Sequence, residues 1–207
     1  MQRLIEVENL TLQFRTDEGL ITAVENVSFS LESGEVMGLV GESGCGKEIV
    51  GDLIHAISPR GKGPLIKVNC ANLPHDSIEK ELFGVEQGGE EDRVGLFRQA
   101  GGGTLVLDQV TEMPSEVQSK LLRVLQDQEA RPVGSETSYQ TNCRLISITN
   151  RDVSDALKSG DLREDLYYRI SPVTIEIPPL RKRRDDIMPL AKTFVKRYAA
   201  QANRVLD

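Results

Sequence analysis

The sequence predicts an α/β fold: a mostly parallel sheet with helices on both faces, plus an N-terminal antiparallel β segment. Three observations carry this. From Glu35 onward, short apolar strands alternate with helical stretches, the rhythm of a sheet covered by crossover helices. A glycine-rich loop, Gly41-Glu42-Ser43-Gly44-Cys45-Gly46-Lys47, sits between a strand and a helix. Before it, apolar and polar residues alternate as they do in half-buried antiparallel strands.

In order along the chain, Leu4 to Glu8 and Thr11 to Arg15 read as short strands, with a turn over Thr16-Asp17-Glu18-Gly19. Leu20 to Val24 and Val27 to Leu31 alternate in the same way, and Glu32-Ser33-Gly34 is a second turn. Glu35 to Val40 is an apolar strand that runs into the glycine loop, and a helix follows over Lys47 to Ile57. Leu65 to Val68 is a strand; Asp76 to Leu82 and Gly95 to Ala100 are short helices. Thr104 to Leu107 is a buried strand. Ser115 to Gln126 is an amphipathic helix with Val117, Leu121, Leu122 and Leu125 on one face. Leu145 to Ile148 is another buried strand, Asp161 to Arg169 is helical, Val173 to Ile177 is a strand, and Asp185 to Ala200 is a final helix.

The 207 residues allow one domain, or one domain with a small appendage, and are enough to bury a core without disulfides. The apolar runs are too short to span a bilayer, and MQRLIEVENL lacks the apolar core of a signal peptide. A net charge of −7 argues against direct DNA binding through the overall field. Cys45, Cys70 and Cys143 form no CxxC pair, and His55 and His75 have no ligand-like spacing, so a zinc site is not expected. Reduced thiols without an export signal predict the cytoplasm.

The loop carries the chemistry. Gly41 to Lys47 fits GxxxxGK, and strand, loop, lysine and helix fall in register. Glycines let backbone N–H groups turn inward around phosphate oxygens. The helix N-terminus adds its dipole, and Lys47 reaches the terminal phosphates. The fold class is thus that of a P-loop NTPase, with ATP or ADP and Mg²⁺ as expected ligands. Residue 48 is Glu, where a Ser or Thr hydroxyl usually helps bind Mg²⁺; its carboxylate either faces the metal, directly or through water, or points to solvent. The strand Thr104-Leu105-Val106-Leu107 ends in Asp108, which in P-loop enzymes orders Mg²⁺; the alternative is an Asp capping a turn. The base that positions the attacking water commonly comes next, as Glu. Here it is Gln109, and an amide can hold a water but cannot take its proton.

From Gly41 onward the chain resembles the AAA+ domain of bacterial enhancer-binding proteins, the ATPases that activate sigma-54 RNA polymerase. The stretches that carry this are GESGCGKE, VNCANLP, ELFG, GLFRQAGGGTLVLDQV, MPSEVQSKLLRVLQDQEARPVG, RLISITNRD and LREDLYYRISPVTIEIPPLRKRRDDI. The resemblance implies that Glu48 is usual after the lysine. It implies that Asn69 restrains the catalytic Glu and that Asn150 senses the γ-phosphate. It further implies that Arg163 and Arg169 reach a neighbouring subunit's nucleotide, and hence self-association as a ring.

Three departures from that pattern stand out. Where the family carries the sigma-54-contacting GAFTGA loop, this chain has Val85-Glu86-Gln87-Gly88-Gly89-Glu90-Glu91-Asp92-Arg93, which puts sigma-54 contact in doubt. Gln109 stands in place of Glu, so weak or absent turnover is expected. The chain ends before most of the helical lid, which reads as truncation. Residues 1–47, with LIEVENLTLQF and ITAVENVSFSLESGEVMGLVGESGCGK, are instead similar to the start of a peptide-importer ABC transporter ATPase, in which an aromatic near Phe14 stacks on adenine. A core or edge role for Phe14 is the alternative. Gly41 to Gly44 fit either family, Cys45 the ABC side and Glu48 the AAA+ side. The expectation is a chimera joined at the loop, with an ABC-like segment over 1–40 and an AAA+ core over 41–207. Its expected function is ATP binding with impaired hydrolysis. The alternatives are an ABC-type ATPase subunit, which lacks its LSGGQ-like signature here, and a non-catalytic nucleotide-binding module.

Overall fold

Parallel strands can be buried on both faces only when helices cover both, and the strand sequences here are apolar enough to need that cover. A computed structural model describes residues 3–16, 19–32, 36–89 and 92–201. It opens with two long antiparallel strands, β1 (Arg3–Thr16) and β2 (Gly19–Glu32). β3 (Met37–Val40) leads through the glycine loop into α1 (Lys47–Ile57). β4 (Leu65–Asn69) is followed by α2 (His75–Phe83), by the small antiparallel pair β5 (Gly84–Val85) and β6 (Arg93–Val94), and by α3 (Leu96–Gln99). Next come β7 (Thr104–Asp108), α4 (Ser115–Asp127) and a second small pair, β8 (Glu129–Ala130) with β9 (Tyr139–Gln140). β10 (Arg144–Thr149), α5 (Val153–Ser159), α6 (Glu164–Ile170), β11 (Val173–Glu176) and α7 (Ile187–Gln201) complete the order.

Strands β11, β3, β10, β7 and β4 form one sheet in that spatial order, every neighbouring pair parallel. Side chains alternate between its faces. Leu105, Leu107 and Leu145 join one core with Ile78 and Leu82 of α2, Leu121 and Val124 of α4, and Leu166 and Ile170 of α6. Val106, Ile146 and Ile148 join the other with Met37, Leu39, and Val50 and Ile54 of α1. The expected layering is therefore present. All five strands run the same way, so the residues that follow their C-terminal ends gather along one edge of the sheet, where ligands of open α/β sheets bind.

Several element boundaries differ from the sequence reading. The four short N-terminal strands are two strands of 14 residues, each carried past a polar pair by a shift of register. The helix expected over Asp161 to Arg169 starts at Glu164, and the one expected over Asp185 to Ala200 starts at Ile187 after a tight turn over Arg184–Asp186. Helix α5 and the two small hairpins were not expected. Met37–Val40, which the expected division at residue 40 assigns to the N-terminal segment, pairs with both β10 and β11 inside the core sheet. The turn residues 17–18 and 33–35, and Glu90 and Glu91 of the acidic loop, lie outside the described residues. Among the described residues no helix is long and apolar enough to cross a membrane.

Candidate functional site

The loop after β3 closes on itself because of its glycines. Gly46 has φ 99°, a left-handed conformation that a side chain resists, and it forms the N-terminal boundary of α1. At Gly41 the constraint is space: a Cβ would come within 2.6 Å of the Ile177 carbonyl oxygen and 2.8 Å of Cys45 Sγ. Lys47 begins the helix and turns back into the loop. Its buried ammonium donates to the carbonyls of Gly41 (2.7 Å) and Glu42 (2.8 Å), and the Cys45 N–H donates to the same Glu42 carbonyl (3.2 Å).

A cavity of about 450 Å³ opens beside this loop at the C-terminal edge of the sheet. Ser43, Gly44, Gly46, Lys47 and Glu48 line it from the loop and α1. Asn69 reaches it from the end of β4, Asp108 and Gln109 from the end of β7, and Asn150 from the end of β10. The order β3–β10–β7–β4 is what makes these four segments neighbours. Asn150 Nδ2 donates to Ser43 Oγ at 3.0 Å, which ties the β10 end to the loop. Asn69 Nδ2 donates to Asp108 Oδ2 at 3.1 Å, while its Oδ1 accepts from the Ala71 N–H at 3.0 Å. The contact expected from Asn69 to residue 109 is thus made to Asp108, one residue earlier. Gln109 itself holds φ 57°, left-handed and unusual for a residue with a side chain, where the chain breaks from β7 into a tight turn.

Not every expected residue reaches the cavity. Cys45 contributes its side chain to the core against α1, and Gly41 and Glu42 act through carbonyls that hold Lys47. Arg163 forms a two-pronged pair with Asp165 (3.0 and 2.7 Å), and Arg169 donates to the Leu125 carbonyl (2.8 Å) on the α4–α6 side. Neither arginine lines the phosphate cavity of its own chain. The side chain of Phe14 lies outside the described residues.

Sequence reasoning missed three residues that shape the site. Gln118 is buried at 1 % exposure within the apolar face of α4. Its amide nitrogen donates to the Met113 and Asp161 carbonyls, and its oxygen accepts from the Arg163 N–H at 2.9 Å, so it seats the start of α6. Arg181 makes a bidentate pair with Glu42, whose carboxyl is held below the usual carboxylate range first by that hydrogen bond. Arg183 donates to the Cys45 carbonyl at 3.0 Å. No local pattern flags a contact across 139 residues, as between Arg181 and Glu42.

The donor set suits a hard divalent cation. Asp108, Glu48 and the Ser43 hydroxyl offer oxygen ligands in one cavity, and Mg²⁺ is held in phosphate sites by one or two carboxylates with water and phosphate. Among the described residues no cluster of three or more His, Cys, Asp or Glu side chains forms a cage for a metal by itself.

Beside the site, burial and then the Asp108 carboxylate push the Cys70 thiol up to about 12 from its ordinary 9.0, and burial pushes Cys143 up to about 11. The folded chain therefore keeps two protons that the unfolded chain loses above pH 9. Stability is predicted to fall as pH rises past about 9, by up to about 1.4 kcal/mol per pH unit for each thiol. Urea midpoints between pH 8 and pH 11 check this, and the Cys70→Ser variant should show a flatter decline.

A sequence model described as the "Sigma-54 interaction domain" matches residues 14–176, well over half of the chain. The Nif-specific regulatory protein of Herbaspirillum seropedicae is 46 % identical over 181 residues, covering 86 % of this chain and 33 % of that protein. The regulatory protein AtoC of Escherichia coli K12 is 46 % identical over 168 residues, covering 79 % of this chain and 36 % of that protein. The chain thus spans about a third of the length of these relatives. Among solved structures, NtrX of Brucella abortus in complex with ATP superposes with a TM-score of 0.76 at 40 % identity, over 83 % of this chain and 38 % of that one. The NtrX complex with ADP gives the same TM-score at 41 % identity, over 82 % of this chain and 38 % of that one. The resemblance of residues 1–47 to ABC transporter ATPases, and the chimera inferred from it, gains no support from these matches: the sequence model starts at Phe14, inside β1, and runs through the phosphate loop.

Proposed function

Because the chain belongs to the sigma-54 interaction domain family, we propose that it is an AAA+ core that binds ATP at the phosphate loop and hydrolyses it weakly or not at all. The observation that carries this is the single cavity that unites Lys47, Asp108, Gln109 and Asn150 at the C-terminal edge of a parallel sheet. A homologous chain at 40 % identity, NtrX of Brucella abortus, has been crystallised with ATP, which supports the choice of nucleotide.

In this reading the loop N–H groups and Lys47 bind the phosphate tail. Lys47 exchanges the Gly41 and Glu42 carbonyls for phosphate oxygens, an exchange of neutral acceptors for charged ones that favours the bound form. Asp108 and Glu48 hold Mg²⁺, which when bound neutralises charge on the terminal phosphates. Asn69 keeps the Asp108 carboxylate oriented. Asn150, already bonded to the Ser43 hydroxyl, meets the γ-phosphate end. Gln109 holds a water without accepting its proton.

Self-association through Arg163 and Arg169 belongs to the same proposal. Arg163 would have to leave Asp165 to reach a neighbour's nucleotide, so assembly competes with an intrachain ion pair. In sequence, residues 85–93 stand where the family carries its sigma-54-contacting loop, and they lack its Phe and Thr. We therefore do not extend the proposal to sigma-54 contact, nor to DNA binding or an ABC-type partner. Equilibrium titration with ATP and Mg²⁺ tests the reading: saturable binding is expected, and no binding at millimolar nucleotide overturns it.

A further inference from the structure

The phosphate loop is fixed from within by Lys47 on the Gly41 and Glu42 carbonyls and by the Cys45 N–H on the latter, and from outside by Asn150 on Ser43 and Arg181 on Glu42. The Cys45 carbonyl is held from outside. Arg183 Nη2 donates to it at 3.0 Å, from a side chain only 14 % exposed. The other terminal nitrogen of that guanidinium pairs with Asp186 Oδ2 at 3.3 Å. Asp186 is itself buried and closes the turn that leads into α7.

The carbonyl and N–H of one trans peptide point in opposite directions. Fixing the Cys45 carbonyl on Arg183 therefore turns the Gly46 N–H away from Arg183. Gly46 lines the cavity and Arg183 does not. Gly46 is also a glycine at φ 99° with open space where a Cβ would stand, so its backbone is free to rotate. A flip of this peptide would replace an N–H facing the phosphates with a carbonyl oxygen, reversing the sign of its dipole at the place where anionic charge must sit.

We propose that Arg183 is a positioning residue for phosphate binding: it holds the Cys45–Gly46 peptide with its N–H toward the cavity, and through Asp186 it links that alignment to the seating of α7. Nothing in the sequence motif of the loop requires this arginine. It deepens the nucleotide-binding reading and rests on it. Arg183 does not line the cavity but holds a peptide that does, so its effect falls on the phosphate-dependent part of binding and spares contacts to the nucleoside.

The test uses the full chain as wild type, Arg183→Gln and Arg183→Lys. Each is titrated with ATP and Mg²⁺ and separately with adenosine, while the Gly46 amide is followed by ¹⁵N–¹H spectroscopy. Loss of a charge-assisted hydrogen bond predicts ATP binding about tenfold weaker in Arg183→Gln, with adenosine affinity changed by less than about twofold. The ATP-induced shift of the Gly46 amide should disappear with it. Arg183→Lys keeps a charged donor but lacks the two-pronged reach to Cys45 and Asp186, so it should recover part of the ATP affinity. A folded Arg183→Gln protein with wild-type ATP affinity and a wild-type Gly46 shift overturns the proposal. So does an equal loss for ATP and adenosine, which would mark a general structural role. Should Arg183→Gln not fold, Arg183→Lys carries the test alone, and wild-type ATP binding in it overturns the proposal. Failure of the underlying reading looks different, because the wild type itself would then show neither ATP binding nor a Gly46 shift.

Discussion

Replacing Gln109 with Glu is expected to raise the rate of ATP hydrolysis by about 10²–10⁴-fold, the usual contribution of a positioned general base. Gln109 follows Asp108 directly at the end of β7 and shares the cavity with Lys47 and Asn150. Its backbone is already turned at φ 57°, so the exchange alters one functional group on a fixed frame. Glu and Gln are nearly the same size, and the position lies at the surface of a cavity. A large loss of stability is therefore not expected. The exchange adds a further carboxylate to the cavity that already holds Asp108 and Glu48, which should weaken ATP binding slightly in the absence of Mg²⁺. Phosphate release under single-turnover conditions, at several protein concentrations, checks the prediction and separates a missing base from a missing partner. An unchanged rate at every concentration would mean that the block lies elsewhere in the site.

Lys47→Ala is expected to weaken ATP binding by at least about 100-fold, the scale on which truncating one member of a buried charge pair acts. The lysine is 7 % exposed and lies within the loop it serves. The same substitution removes the donor that the Gly41 and Glu42 carbonyls share, so the loop itself loosens. Calorimetric titration measures the first effect. A melting curve without nucleotide measures the second, which should be modest because the core of the sheet does not depend on the loop. Lys47→Arg should not restore affinity, since a planar guanidinium does not fit where a compact ammonium bonds two carbonyls 2.7 and 2.8 Å away.

Local signals made the core legible. The glycine loop, the strand before it and the helix Lys47–Ile57 are where spacing puts them, because each is defined by residues close in sequence. The apolar runs of β7 and β10 read as buried strands, and their alternation with helices as a parallel sheet. With that fold, Asp108 and Asn150 at the strand ends had to meet the loop. The four short strands read from the sequence leave gaps at Asn9-Leu10 and Glu25-Asn26. In the structure the register shifts between Val7 and Leu10, and between Leu10 and Leu12, carry both pairs within continuous strands. Helix α5 carries both an N-cap and a C-cap signal: the Asp152 side chain accepts from the Asp155 N–H at its start, and Gly160 ends it at φ 80°. Gln118 was hidden for the opposite reason, since a glutamine on an amphipathic helix reads as surface. Only the fold reveals the Met113, Asp161 and Arg163 backbone groups that bury it. Arg181 and Arg183 act on the loop from about 140 residues away, and no window of sequence contains both ends of such a contact.

On the proposed function, the site takes up ATP and leaves its γ-phosphate in place. The most direct measurement incubates the unmodified chain with γ-labelled ATP and Mg²⁺, separates the protein from free nucleotide, and identifies what remains bound over an hour. Bound, intact ATP with little released phosphate is the predicted result. Rapid conversion to ADP, or no retained nucleotide at millimolar ATP, would contradict it.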